Sequence, residues 1–342
     1  MVKLACSFLA VLLSAATSAA QDTGLPAVLM PGQAIAVPVP TPPPHGPSFR
    51  TGVDIVALTV TVVDREKRYV HDLRAHDFQV FEDGVQQAVS FFALADVPMD
   101  LALLVDSSAS MRETLPVVRD AATGLLRVLR PGDRASLVEF RHGVRVAEPM
   151  TTDIPDVIAT LQSMQPGGGT SLYNALYISL KEFQKQSRQE ADIRRRVIVV
   201  LSDGDDTSSM LSFEDVLDQA RRSGVSIYTV SLKSAARLSR EKSENSGRRY
   251  FSQADYTMRE LAEQTGAKAF FPERVAELKD IYASVGEELA SQYAVGYVPS
   301  NPVRNGAWRR LQVRIAQRPE ARPRTRAGYF APTAGPQTVA SN

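Results

Sequence analysis

Hydrophobic positions along this chain follow two rhythms, and the change between them divides it. Between Pro98 and about Leu289, short apolar runs such as LALLV (101–105), ASLVEF (135–140), VIVVL (197–201) and VSIYTVSL (225–232) alternate with stretches whose apolar residues recur at helical spacing. Strands buried on both faces read as continuous apolar runs, and helices between them bury one stripe each. The pattern predicts helices at about 112–129, 154–164, 172–184 and 213–222, a further strand in VRVAEP, and a last helix, strand (AKAFF) and helix across 257–290. This is a doubly wound, Rossmann-like α/β domain with a mostly parallel sheet. Ser212 and Thr257 stand where helix N-caps are expected. The polar run 233–255 breaks the rhythm and reads as a surface insertion.

Outside that domain the period becomes two. In VDIVALTVTVVD (53–64) the pattern changes to alternation, and FQVFEDGVQQAVSFFAL (78–94) holds two alternating runs joined by Asp83-Gly84, a hairpin signal. Near the other end QYAVGYVP and WRRLQVRIA read as strands joined by the turn-prone SNPVRNGA. The two flanking segments are therefore expected to pair in one small β-rich unit, forming a second sheet. Ahead of them lie Lys3, an apolar stretch through Leu13 and the small residues Ser18-Ala19-Ala20, which read as a secretory signal peptide. The apolar stretch is too short to span a bilayer. A proline-rich, nearly uncharged segment follows and reads as an extended spacer. The predicted order is signal peptide 1–20, linker 21–49, β-rich unit 50–97, α/β domain 98–290, β extension 291–332 and tail 333–342. Secretion or periplasmic export is expected, with no membrane span after cleavage.

Charge and cysteine content remove several function classes. A formal net charge of +1 over 342 residues sets up no global field, so no nucleic-acid partner is expected. The only cysteine, Cys6, lies in the predicted signal peptide, so the mature chain would have no disulfide or thiolate chemistry. Gly167-Gly168-Gly169-Thr170 lacks the lysine of a phosphate-binding P-loop, and His45, His71, His76 and His142 show no HExxH spacing. No GxSxG elbow is present. Asp205 and Asp206 read as acid–base candidates or as a solvated turn. Arg309, Arg310, Arg314, Arg318, Arg322, Arg324 and Arg326 read as edge-strand protection and a solvated tail, or as a weak contact with an anionic envelope polymer. Trp308, Tyr297 and Tyr329 are expected to pack the terminal sheet.

The strongest chemical signal is Asp106, Ser108 and Ser110 in DSSAS, directly after LALLV, joined by Thr170 in QPGGGTSLYNAL and by Asp203 at the end of the VIVVL strand. Alone, DSSAS is a plausible helix cap and Asp203-Gly204 an ordinary turn. Together they deliver oxygen-only donors to strand carboxyl ends, where ligands of such sheets sit. Hard oxygen donors suit Mg²⁺ or Mn²⁺, with Ca²⁺ possible, rather than zinc. The five positions resemble the metal-ion-dependent adhesion site (MIDAS) of von Willebrand factor type A domains. HDLRAHDFQVFEDG (71–84) is similar to the segment preceding that domain in a related family of secreted bacterial proteins known largely from Acidobacteria.

The resemblance implies a non-enzymatic binding module. Ser108, Ser110 and Thr170 would contact the metal, Asp106 and Asp203 would act directly or through water, and one position would stay open for an Asp or Glu side chain of a protein partner. A metal-dependent hydrolase and a structural assembly subunit are the alternatives. The export reading predicts a mature protein that begins at Gln21 without disulfides; intact-mass measurement of protein from the native host checks it, and a lipid-modified Cys6 would contradict it.

Overall fold

Strand β5 (Met99–Asp106) is buried along its whole length, because it lies in the middle of a six-stranded sheet with helices on both faces. The computed structural model describes residues 55–94, 97–189, 193–202, 206–232 and 253–333, all within one compact unit. The predicted signal peptide and linker, the insertion 233–252, and Asp203 and Asp205 lie outside the described residues. Among the described residues no helix is long and apolar enough to cross a membrane.

The sheet runs β10-β9-β8-β5-β6-β7, built from β6 (Arg134–Phe140), β7 (Val144–Thr151), β8 (Arg195–Ser202), β9 (Ser226–Ser231) and β10 (Ala269–Phe270) beside β5. All neighbours pair in parallel except the edge strand β7, which is antiparallel to β6. Alternate residues of β5 feed two cores. Leu101, Leu103 and Val105 face α1 (Leu115–Leu126), α2 (Ile154–Ser163) and α6 (Leu278–Ala290). Ala102 and Leu104 face α3 (Leu172–Gln189), α4 (Phe213–Ser223) and α5 (Gln253–Gln264).

The predicted cap at Ser212 is present: its hydroxyl accepts from Asp215 N–H while the Asp215 carboxylate accepts from Ser212 N–H. Thr257 is not a cap. Helix α5 begins four residues earlier, at Gln253, and Thr257 lies inside it, donating its hydroxyl to the Gln253 carbonyl. The last residues of the polar run 233–255 therefore belong to a helix. Helix α1 begins at Leu115 rather than near 112, after a 3-10 turn at Ala109–Met111.

The flanking segments do pair, but in two sheets rather than one. The first has the order β13-β1-β11-β4, from β1 (Val56–Val63), β4 (Val89–Leu94), β11 (Tyr293–Tyr297) and β13 (Arg322–Arg324). The second has the order β14-β12-β2-β3, from β2 (Phe78–Glu82), β3 (Val85–Gln87), β12 (Trp308–Ile315) and β14 (Gly328–Phe330). Each sheet mixes both ends of the chain: β1 is antiparallel to β11, and β2 to β12. The physical reason is the period-two pattern itself. Each strand has one apolar face, and Val56, Leu58 and Val60 need a facing layer, which Leu311, Val313 and Ile315 supply. Asp83 (φ 48°) and Gly84 (φ 85°) make the β2–β3 turn, with the paired positive φ values of a type I′ hairpin.

The arginine cluster divides: Arg322 and Arg324 stand on the edge strand β13, as the edge-protection reading expects, and Arg310 and Arg314 are exposed, but Arg309 and Arg318 have structural partners. Strand β12 is internal to its sheet, and Arg309 is buried, pairing with Glu82 at 2.9 Å. Tyr297 and Tyr329 also donate to Glu82, at 2.6 and 2.7 Å. Burial and the Glu82 carboxylate push the Tyr329 hydroxyl up to about 12. Arg318 makes a two-pronged contact with Asp72. Trp308 packs edge-on against Phe330, as expected of an aromatic in this sheet.

The β sandwich joins the α/β domain at the end where β5 and β8 begin. Arg195, at the start of β8, donates to the carbonyls of Val97 and Leu289 and to the Gln292 side chain. Glu288 of α6 is buried and accepts from Tyr228 of β9, from Tyr69 beside the sandwich and from Arg324 of β13. A side chain at Gly266 would strike the backbone of Thr325 and Arg326 at 2.4 Å, so a glycine is required for this approach. Both junction and sandwich thus lie one strand length, about 25 Å, from the carboxyl ends of the sheet.

Removing one partner of a buried ion pair strands the other. Glu82→Ala and Arg309→Ala are each expected to cost about 3–5 kcal/mol, whereas Arg310→Ala, an exposed neighbour, should cost under about 0.5 kcal/mol. Urea denaturation of the three variants checks the contrast.

Candidate metal centre

Asp106 ends β5 and is fully buried, not merely placed at a strand tip. One carboxylate oxygen accepts from the Ser108 amide at 2.8 Å and the other from the Ser202 hydroxyl at 2.7 Å. Ser202 closes β8 as Asp106 closes β5, so neighbouring parallel strands end in groups that meet. The Ser108 and Ser110 hydroxyl oxygens lie 2.9 Å apart, with Ser108 buried and Ser110 exposed.

The loop carrying Thr170 is tied to this turn by backbone hydrogen bonds. Gly167 N–H donates to the Ser107 carbonyl at 2.7 Å, and Ala109 N–H to the Gly168 carbonyl at 3.0 Å. A third loop closes on the same place. The amides of Thr207 and Ser208 both donate to the Thr170 carbonyl at 3.0 Å, while the Thr170 amide donates to the Thr207 hydroxyl at 3.0 Å. Asp106, Ser108, Ser110 and Thr170 therefore converge on one end of the sheet; Asp203 falls outside the described residues.

The glycines of the Thr170 loop serve close packing between loops. Gly168 has φ +82°, a conformation unfavourable for other residues, and a side chain there would press on His142 at 3.3 Å. A side chain at Gly169 would meet the Ser208 hydroxyl at 2.5 Å.

Two supporting residues escaped the sequence reading, and a third, Asp206, was noticed without its role. Ser202 carried a legible signal, a hydroxyl at the end of a buried strand. Glu139 did too, an acid inside the apolar run ASLVEF. Its buried carboxylate accepts from the Ser107 hydroxyl at 2.8 Å and pairs with Arg145 at 2.6 Å, fixing the turn after Asp106. Asp206 is more than a solvated turn residue. Its carboxylate accepts from the amides of Tyr173, Ser208 and Ser209, and so caps α3 from another loop. Ser171 stands where the cap would be, but its hydroxyl is committed to the His142 carbonyl.

The donor set fits a hard divalent cation. Two oxygens held cis on an octahedral ion at about 2.1 Å lie about 3.0 Å apart, close to the serine pair here. Among the described residues no group of three His, Cys, Asp or Glu side chains is placed to hold a metal.

A family model described as von Willebrand factor type A domain matches residues 100–282. Inter-alpha-trypsin inhibitor heavy chain H2 of Mus musculus is 26% identical over 197 residues, which is 51% of this chain and 20% of that protein. An uncharacterized protein of Borreliella burgdorferi is 23% identical over 210 residues, covering 57% of this chain and 56% of its own. The matched region thus spans about a fifth of the inhibitor heavy chain. Among solved structures, a von Willebrand factor type A protein from Catenulispora acidiphila aligns over 84% of this chain and 76% of its own, at 11% identity and TM-score 0.47. Proximal thread matrix protein 1 from the mussel byssus, with a zinc-occupied MIDAS motif, covers 57% of this chain and 48% of its own at 16% identity and TM-score 0.44.

Because Gly169 has no room for a side chain, Gly169→Ala is expected to push the Thr207–Ser208 loop away and destabilise the protein by about 1–3 kcal/mol. Thermal unfolding, with amide exchange at residues 206–209, measures both effects.

Proposed function

Since the chain belongs to the von Willebrand factor type A domain family, a family of metal-dependent adhesion and protein-interaction modules, we propose that it is an exported binding protein that captures an acidic side chain of a protein partner through Mg²⁺. The observation that carries this reading is the convergence of Asp106, the Ser108–Ser110 hydroxyl pair and the Thr170 loop at the carboxyl end of the sheet. Ser108, Ser110 and Thr170 would hold the ion directly, and Asp106 and Asp203 directly or through water. When bound, the ion supplies a concentrated positive charge that accepts a further carboxylate.

The chain's own groups prepare that site. The Ser202 hydroxyl and Ser108 amide orient the Asp106 carboxylate, as supporting hydrogen bonds orient metal ligands generally. Glu139 and Asp206 spend their carboxylates on Ser107, Arg145 and three amides, which supports a binding role over an acid–base one. The β sandwich attaches at the far end of the sheet and leaves this face open to a partner. We assign residues 98–290 to the binding domain and the sandwich to the segments 50–97 and 291–332.

Calorimetric titration with Mg²⁺ and Mn²⁺ tests the assignment. Asp106→Asn and Ser110→Ala are each expected to lower metal affinity at least about tenfold, in the range reported for losses around metal sites. Ser110 is exposed, so its variant should keep wild-type stability. Unchanged affinity in both variants would remove the site. Capture of a partner from the native envelope should require Mg²⁺ and be reversed by EDTA.

A further inference from the structure

Away from the metal centre, a cavity of about 380 Å³ lies between α3 and strands β5, β6 and β7. Protein interiors rarely leave such space, which is within the range of small-molecule pockets. Its origin is local. Ala102, Ser136 and Ser179 face it from β5, β6 and α3, and none is large enough to fill it. The pairing of β7 with β6 also slips twice: Thr151 lies opposite Ala135, Glu148 opposite Leu137 and Val146 opposite Val138. The extra β7 residues, among them Pro149 and Met150, bulge, and bulges re-aim side chains near binding sites. Val146, Pro149 and Met150 form the outer wall, with Val146 47% exposed at its rim.

The walls also carry a specific polar signature. Gln186 lines the cavity, and its side-chain oxygen is buried with no hydrogen-bond partner among the described residues. A buried acceptor left unmatched costs free energy that a donor from a bound molecule would recover. The exposed carboxylate of Glu182 on the same wall adds a second acceptor.

We propose that this cleft is a second binding site, independent of the metal, for a small neutral apolar molecule carrying one N–H or O–H donor. The apolar body fills the space left by Ala102, Ser136 and Ser179, and the donor meets the Gln186 oxygen after a turn of that side chain toward the cleft, since the oxygen is buried in this structure. The site lies toward the start of β6 and the end of β7, away from the strand end that carries Asp106 and the loop that carries Thr170, so it does not compete with a partner at the metal.

Indole and indene test this directly, since they share a shape and differ in the N–H donor. In NMR titrations of the full chain, indole should give saturable shifts confined to 136–138, 146–150 and 179–186. It should bind about threefold to tenfold more tightly than indene, the ratio expected of one neutral hydrogen bond. Gln186→Leu should bring indole down to the affinity of indene and leave indene unchanged. Ser179→Leu should fill the cleft and abolish both. Equal affinities in the wild-type chain, shifts spread over the surface or gathered at the metal face, or no saturable shift with indole would overturn the proposal.

Discussion

The whole structure depends on strand β5, eight residues from Met99 to Asp106 that are buried on both faces and carry a buried carboxylate near each end. Burying a carboxylate is costly unless it is answered by hydrogen bonds or opposite charge. The two ends answer differently. Asp100 is gripped by Arg134 and Arg194, at 2.8 and 2.7 Å, which closes the chemistry there. Asp106 is held by the Ser108 amide and the Ser202 hydroxyl, with two more serine oxygens beside it. One end of the sheet is thus a structural anchor, and the other gathers oxygen donors.

The second constraint is topological. Strand β1 pairs with β11 and β2 with β12 across more than two hundred residues, so the sandwich cannot form until both ends of the α/β domain are in place. Closing such long loops is what makes non-local pairing slow. The α/β domain, whose strands mostly pair with near neighbours in sequence, can order first and bring the two segments together. The junction around Glu288, Arg195 and Gly266 then fixes the sandwich to α6 and β8 without touching the metal face. The glycine at 266 and the buried ion pair at Glu82 and Arg309 show how closely the flanking segments are fitted. They are structurally part of the protein, not appendages to it.

The described parts of the loops at the metal face are braced by hydrogen bonds to one another, though they are mostly polar. Ser107, Thr170, Asp206 and Thr207 trade backbone and side-chain hydrogen bonds so that three loops fix one another. Such cross-bracing lowers the ordering entropy that a ligand must overcome, which is the physical meaning of a preorganised site. The cleft beside β7 is the opposite case, space left by small side chains and a bulged edge strand.

By itself the sequence determined the α/β domain, the strands of the two flanking segments and which residues are candidates for the metal. Each of these is written in a short-range signal: a period of hydrophobic residues, a hairpin turn at Asp83-Gly84, or hydroxyls directly after an apolar strand. The tertiary structure alone decided that the flanking strands form two facing sheets, that Arg309 is a core ion-pair partner, that Asp206 caps a helix in another segment, and that Gly169 must lack a side chain. These features depend on which distant groups meet, as Glu82 meets Arg309 and Asp206 meets Tyr173. An arginine or aspartate reads the same in sequence whether it faces water or a buried partner, because charge is a property of the residue and burial a property of the fold.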